Sequence, residues 1–157
     1  MAKPGSTKAA ASTDVLVSEN KKARFQYEIL DTFEAGLVLR GTEVKVLREG
    51  KISLDEAYAR VDRNELWLIG ANIPEYRHGN VQNHEPKRKR KCLLHKRELR
   101  KLKETSQVKG LTLVPLRVYF GSRGFAKVTI GVGKGRKLHD KRQHEREKEA
   151  KREIRDR

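Results

Sequence analysis

The chain has 157 residues, which suits one domain with flexible ends and one hydrophobic core. Its formal net charge of +16 at pH 7 indicates a polyanionic partner, with nucleic acid favoured over a membrane surface. The lone Cys92 excludes an internal disulfide framework, and no apolar run reaches the roughly 18 residues of a membrane-spanning helix. This composition fits a protein of the reducing cytoplasm.

The N-terminal part predicts a disordered leader followed by a hairpin. Residues 1–20 are rich in Ala, Ser, Thr, Gly and Lys without a sustained period, so they are excluded from the fold. From Arg24 onwards apolar and polar residues alternate, which predicts a strand. Apolar residues resume after the turn-prone Ala35-Gly36 pair, and this resumption predicts a second, hairpin-connected strand.

The segment GTEVKVLREG, residues 41–50, predicts one short helix. Thr42 can cap its N-terminus, and Gly50 can close its C-terminus. Lys45 and Arg48 would then face outward.

The middle of the chain predicts another hairpin and a loop. Residues 52–61 and 66–73 flank Asp62-Arg63-Asn64, a turn-forming trio, and together they predict a long hairpin. Residues 74–86 contain Gly and Asn and few apolar residues, so they predict a loop that leads into a strongly basic run.

The C-terminal half predicts a helix and two strands. Leucines among strong helix formers indicate a helix at about residues 95–106. Strands are predicted at 111–120 and 125–132, with a bulge or an edge position at Pro115 because proline cannot donate a ladder hydrogen bond.

These elements define the expected architecture. About six strands with one short and one longer helix favour a mainly β fold, an oligonucleotide-binding (OB)-like small β-barrel over residues 21–132. Residues 133–157 form a basic tail; beyond residue 142 only Ala150 and Ile154 are apolar, too few to bury a helical face. The tail is expected to be disordered when free and helical when bound.

The strongest binding signal is the basic run before the longer helix. Charge runs are often solvated surface, but five consecutive cations repel one another without benefit to a monomer. Contact with phosphate is therefore the preferred interpretation. The run consists of Lys87, Arg88, Lys89, Arg90 and Lys91.

Metal binding, cofactor binding and catalysis have no clear carrier in the sequence. His78, His84, Cys92 and His95 lack the paired spacing of a zinc site. The glycines at 131, 133 and 135 do not match a phosphate-binding loop and are interpreted as a flexible exit from the last strand. No nucleophile elbow or acidic cluster is present, so we expect no enzyme activity, no metal and no cofactor.

Four separated pieces of the chain match a known family in order and spacing. They are FEAGLVLRGTEVKVLREGK (33–51), GANI (70–73), RKCLLHKREL (90–99) and KVTIGVGKGRKLHDKR (127–142). The chain thus resembles the SsrA-binding protein family, also called small protein B, whose partner is transfer-messenger RNA (tmRNA, SsrA RNA). The resemblance implies a non-enzymatic factor of trans-translation whose barrel binds the tRNA-like domain of tmRNA. It also implies that the tail enters the empty mRNA channel and decoding centre of the small subunit in a stalled 70S ribosome.

The resemblance also implies roles for individual residues. Glu34, Leu93 and Lys127 match family positions associated with tmRNA binding. Together with the basic run and the outward cations Lys45 and Arg48, they form the expected RNA-binding set. The expected decoding-centre segment of the tail consists of Lys134, Gly135, Arg136, Lys137, His139, Asp140, Lys141 and Arg142. A generic ribosome-associated or RNA-chaperone module without preference for tmRNA is the alternative.

Overall fold

The computed structural model describes residues 14–79, 82–136 and 146–152. The described residues form seven strands and three helices, and residues 146–152 form a further helical segment with exposed side chains. The strands are β1 (Val15–Glu19), β2 (Tyr27–Leu37), β3 (Tyr58–Asp62), β4 (Glu65–Ile69), β5 (Arg90–Leu93), β6 (Leu111–Phe120) and β7 (Ala126–Gly135). The helices are α1 (Lys21–Gln26), α2 (Gly41–Arg48) and α3 (Lys96–Ser106).

The strands form a closed antiparallel barrel. Their order is β1-β6-β3-β4-β5-β2-β7, and pairing of β6 with β7 joins the two sides of the sheet. Six strands therefore close the barrel, while β1 pairs with β6 at its margin. The predicted mainly β, OB-like barrel is confirmed, with β1 and α1 in addition to the predicted elements.

The barrel core follows the period of two expected of strands with one buried face. Leu66 and Leu68 of β4 are fully buried, as are Val128 and Ile130 of β7. Val46 and Leu47 of α2 and Leu102 of α3 pack into the same cluster. Both helices thus cover the barrel with apolar faces, and this leaves their polar faces available for other contacts.

The N-terminal prediction is wrong in two respects. First, Val15–Glu19 is a strand of the fold and Asn20 of the predicted leader caps α1, so Arg24, where the first strand was predicted to begin, lies in a helix and the strand begins at Tyr27. Second, Ala35 and Gly36 form no turn, because β2 runs through them and pairs with Val128 and Lys127 of β7. The buried Asn20 side chain accepts from the Ala23 N–H and donates to the carbonyl oxygens of Leu54 and Pro115. These contacts with remote residues position the start of the fold.

The glycines of β7 lie in the strand, which extends three residues beyond its predicted end at Val132. A Cβ on Gly131 would lie 2.8 Å from Leu116 Cδ1, and one on Gly133 would lie 2.8 Å from Tyr27 Cβ. Because such distances are too short for a side chain, glycine at these two positions lets Leu116 and Tyr27 pack against the backbone of β7. The interpretation of these glycines as a flexible exit from the strand is therefore wrong.

Several local predictions are confirmed. The short helix is present, although its N-cap is Arg40 rather than Thr42. Arg63 and Asn64, both with positive φ, make the predicted turn between β3 and β4. The two strands of this hairpin are shorter than predicted. The longer helix and β6 lie where the sequence placed them, and a register shift follows Pro115.

Candidate nucleic-acid interface

Glu34, Leu93 and Lys127 lie together although they come from three strands. Gly36 of β2 pairs with Leu93 of β5 on one side and with Lys127 of β7 on the other. Glu34 is two residues from Gly36, so it shares the same face of the strand. All three side chains line one surface cavity of about 350 Å³, here called the Glu34 cavity. Its other lining residues are Ala35, Gly36, Leu94, His95 and Glu98.

The carboxylate of Glu34 is oriented by neutral donors. The Tyr119 hydroxyl donates to Glu34 Oε1, and the Thr129 hydroxyl donates to Oε2 at 3.0 Å. Arg117 Nε donates in turn to Thr129 Oγ1 at 3.3 Å, and the Arg117 guanidinium lies 4.8 Å from the centre of the Tyr119 ring. Glu34 is exposed, so its remaining lone pairs can accept from ribose hydroxyls or base amines.

Gly36 and Leu93 make the apolar part of the Glu34 cavity. Leu93 is 53% exposed, so its side chain presents apolar surface at the edge of the cavity. A Cβ on Gly36 would lie 3.8 Å from Leu93 Cβ, an ordinary contact distance. The missing side chain therefore leaves space above the strand, and Leu93 offers an apolar wall for a ribose or base.

The basic run does not present one positive face. Lys87, Lys89 and Lys91 alternate with Arg88 and Arg90, whose side chains turn towards Glu43 of α2. Lys87 forms an ion pair with Glu56 at 3.6 Å, and Lys91 forms one with Glu65 at 2.7 Å. Lys89 lies 5.4 Å from the centre of the Trp67 ring. Most of the charge in the run is therefore paired within the protein.

Arg90 was predicted as an RNA contact, and the structure contradicts this. Its side chain is 0% exposed and donates from Nε to Glu43 Oε2 at 2.7 Å. It also donates to the carbonyl oxygens of Ala71 and Pro86, both at 2.9 Å. Arg90 is therefore a structural residue that joins α2, the 74–86 loop and β5. Arg88 is also bound to Glu43, but 21% of its side chain remains exposed.

The environment of Glu43 keeps this cluster ionised. Burial raises the pKa of Glu43, but hydrogen bonds from Arg88 and from the Arg40 N–H, with the charge of Arg90, outweigh burial. The pKa of Glu43 consequently lies below its ordinary value. Both oxygens of the Glu43 carboxylate are engaged by donors within the protein, so this carboxylate is a structural group rather than a free binding site.

The candidate metal ligands are separated by the fold. His84 is buried; its Nε2 donates to the Ile73 carbonyl oxygen, which leaves Nδ1 to accept from the Thr42 hydroxyl, both at 2.9 Å. Burial raises the pKa of the Cys92 thiol to about 12, which disfavours the thiolate that a metal would bind. Within residues 14–79, 82–136 and 146–152, no group of three His, Cys, Asp or Glu side chains could hold a metal ion.

The other predicted contacts lie outside the Glu34 cavity. Lys45 and Arg48 are exposed on α2, as predicted, but they lie over the rings of Tyr76 and Phe120. Lys134 and Gly135 are strand residues of β7, and the Arg136 N–H donates to the Gln26 carbonyl oxygen at 3.0 Å. The remaining tail residues of the predicted site lie outside the described part of the chain. They are Lys137, His139, Asp140, Lys141 and Arg142.

Sequence reasoning missed the residues that shape the Glu34 cavity. Tyr119 and Thr129 orient Glu34, Gly36 leaves the space open, and His95 and Glu98 line the side next to α3. The sequence contained an indication only for Gly36. If residues 27–37 are taken as one strand, Gly36 lies two residues from Glu34 and therefore on the same face. The hydroxyl donors come from β6 and β7, so no local pattern marks them.

The fold and this surface define the class of protein as a small OB-like β-barrel with a strongly basic surface. No helix among the described residues is long and apolar enough to cross a membrane. The model of the family described as "SmpB protein" matches residues 17–157. The chain belongs to this family.

Individual relatives agree with the family match. The SsrA-binding protein of Mesorhizobium japonicum is 54% identical over 137 residues, which cover 87% of this chain and 86% of the relative. The SsrA-binding protein of Agrobacterium fabrum is 55% identical over 134 residues, covering 85% and 84%. A solved structure described as "tmRNA-SmpB: a journey to the center of the bacterial ribosome" is similar with a TM-score of 0.67 and 49% identity. That similarity covers 80% of this chain and 92% of the other.

Proposed function

We propose that this chain is an RNA-binding ribosome-rescue factor of the cytoplasm, which binds the tRNA-like domain of tmRNA and delivers it to stalled ribosomes for trans-translation. The carrying observation is the Glu34 cavity, where three residues that the family resemblance associates with tmRNA lie side by side on a family-matched barrel. The names of the relatives, which are SsrA-binding proteins, support the same assignment.

The Glu34 cavity combines three kinds of RNA contact. The exposed ammonium of Lys127 can neutralise a backbone phosphate, which supplies affinity without sequence preference. Leu93 can pack against a ribose or an unstacked base. The carboxylate of Glu34 can accept from a 2′-hydroxyl or a base amine, and such contacts discriminate folded RNA from other polyanions.

The tail has a separate role in this proposal. Beyond β7, its cations would follow the empty mRNA channel, and His139 would stack on or bond to a base in the decoding centre. Residues 146–152 are helical and exposed, with cations and carboxylates interspersed. A polar helix of this kind gains stability from a charged partner rather than from packing on its own barrel.

Leu93→Ala tests the Glu34 cavity against a matched control, Leu30→Ala. Leu30 of β2 is 52% exposed, almost the same fraction as Leu93, but it does not line the cavity. We expect Leu93→Ala to weaken binding of the tmRNA tRNA-like domain, and Leu30→Ala to leave it unchanged, in filter-binding titrations. Equal affinities of the two variants would contradict the proposed interface.

The RNA that co-purifies with the protein tests the partner itself. Enrichment of tmRNA over ribosomal RNA fragments and tRNA is the expected result. A generic RNA-binding module would instead recover RNAs in proportion to their abundance, since phosphate contacts alone carry no sequence information.

A further inference from the structure

A second basic surface lies on α3. Lys96, Arg100 and Lys103 are spaced by four and three residues, so they lie on one face of the helix. With Leu99 and Asn64 they line a groove of about 410 Å³, here called the α3 groove. Its lining contains three cations and no carboxylate. Leu102 anchors the helix, since its side chain is fully buried in the core.

The cations of the α3 groove differ from those of the basic run in their pairing. Among the described residues, Lys87, Arg88, Arg90 and Lys91 each form an ion pair with a glutamate. In the same described ranges, the three groove cations have no carboxylate within 4.0 Å, and Lys103 Nζ donates only to the neutral Asn64 amide oxygen at 2.8 Å. The three groove cations are therefore uncompensated together on one helix face, whereas in the run only Lys89 has no carboxylate partner in the part of the chain that the structure describes.

We propose that the α3 groove is a second RNA-binding surface, which contacts the phosphate backbone of an RNA strand separately from the Glu34 cavity. This inference rests on the proposed RNA-binding function. The two surfaces meet at α3. Its N-cap His95 and its residue Glu98 line the Glu34 cavity. Three of its cations, Lys96, Arg100 and Lys103, line the groove. One helix would thus bring two parts of an RNA partner to adjacent surfaces.

The shape of the groove favours a backbone over a single anion or a base. Lys96 and Lys103 are separated by about 10 Å along the helix axis at 1.5 Å per residue, a longer span than one phosphate group. The groove lining includes no aromatic ring on which a base could stack. Asn64 orients Lys103 through its amide oxygen, and its amide nitrogen remains a donor for a phosphate oxygen.

The test replaces all three cations with glutamine, a good helix former: Lys96→Gln, Arg100→Gln and Lys103→Gln. The control carries Lys51→Gln, Arg77→Gln and Arg123→Gln, which remove the same charge from exposed positions outside both cavities. Binding is measured across salt concentrations in one arm with the tmRNA tRNA-like domain and in another with vacant 70S ribosomes. Circular dichroism confirms that each variant is folded.

We expect the slope of log K against log salt to fall in magnitude by about 2 to 3 for the groove variant, since each of the three lost phosphate contacts removes roughly 0.7 to 0.9. A fall confined to the first arm identifies tmRNA as the source of the phosphates, and a fall confined to the second identifies ribosomal RNA. Lys96→Arg with Lys103→Arg should keep the wild-type slope. The proposal is overturned if the groove variant retains the slope in both arms, or if the scattered control loses as much.

Failure of the proposed function has a different signature. A wild-type protein that binds RNA without preferring tmRNA would refute the rescue role, yet the slopes would still report on the groove. If the wild type binds RNA in neither arm, both proposals fall together.

Discussion

Glu43→Ala is expected to destabilise the fold strongly, because it leaves Arg90 buried without its counter-charge. The side chains of Glu43 and Arg90 are both 0% exposed, and their atoms approach to 2.7 Å. Arg88 can turn its partly exposed guanidinium to solvent when Glu43 is absent. Arg90 lacks this route, since four carbonyl oxygens hold its guanidinium in place.

The expected loss is about 3 to 5 kcal/mol of unfolding free energy, the range for removing one partner of a buried ion pair. The carbonyl contacts of Arg90 remain, which places the expectation near the lower end. Even so, this loss is a large fraction of the roughly 5 to 15 kcal/mol that stabilise a typical domain. Alanine at a surface ion pair costs only about 0 to 1 kcal/mol.

The surface pair of Glu49 and Lys51 supplies the matched control. Its atoms lie 3.4 Å apart, and about half of each side chain is exposed. Urea unfolding followed by the fluorescence of Trp67, the only tryptophan, gives the free energy of each variant, with circular dichroism as a second probe. If Glu43→Ala and Glu49→Ala both cost less than about 1 kcal/mol, the assigned role of the Glu43 cluster is wrong.

Three further results are expected. The folded-state pKa of Glu43 lies below its ordinary value of 4.5, so the ionised carboxylate contributes its full share of the unfolding free energy above pH 4.5, and this share is lost as the pH falls through the folded-state pKa. Glu43→Gln should therefore flatten the acid part of the plot of unfolding free energy against pH. Gly36→Ala should raise the unfolding free energy by about 0.5 to 1 kcal/mol while weakening tmRNA binding, because the added methyl group narrows the Glu34 cavity. Truncation after Arg136 should preserve tmRNA binding and abolish peptide tagging on stalled ribosomes, and continued tagging by this truncated chain would refute the role of the tail. Truncation after Val132 should in addition lower the unfolding free energy, because it removes residues of β7 that pair with β2 and β6.

The elements that sequence reasoning located are those specified by neighbouring residues. The β3–β4 turn needs positive φ at Arg63 and Asn64, and α3 shows leucines at helical spacing. By contrast, α1 has six residues and is capped by Asn20, whose side chain donates hydrogen bonds to carbonyl oxygens of residues 34 and 95 positions away. A helix stabilised by such distant contacts has no local signal.

Gly36 was misread for a related reason. Glycine beside alanine is typical of a turn, but here Gly36 lies within a long strand, where its missing side chain leaves the Glu34 cavity open. The family resemblance selected Glu34, Leu93 and Lys127, and the pairing of Gly36 with two strands explains why they meet. The departure from local preference thus coincides with the candidate site, as expected where function competes with secondary-structure propensity.

Charge density in the sequence also differs from charge available at the surface. Glu43 and Glu56 precede the basic run by more than 30 residues, yet the barrel brings them against it. Pairing of this kind follows from strand order, which a window of sequence does not contain. On α3, by contrast, the leucines fix which side is buried, so the cations at helical spacing stay exposed. The pairing of cations with acids therefore has to be read from the fold, and in this chain it leaves Lys96, Arg100 and Lys103 on α3 without a carboxylate partner among the described residues.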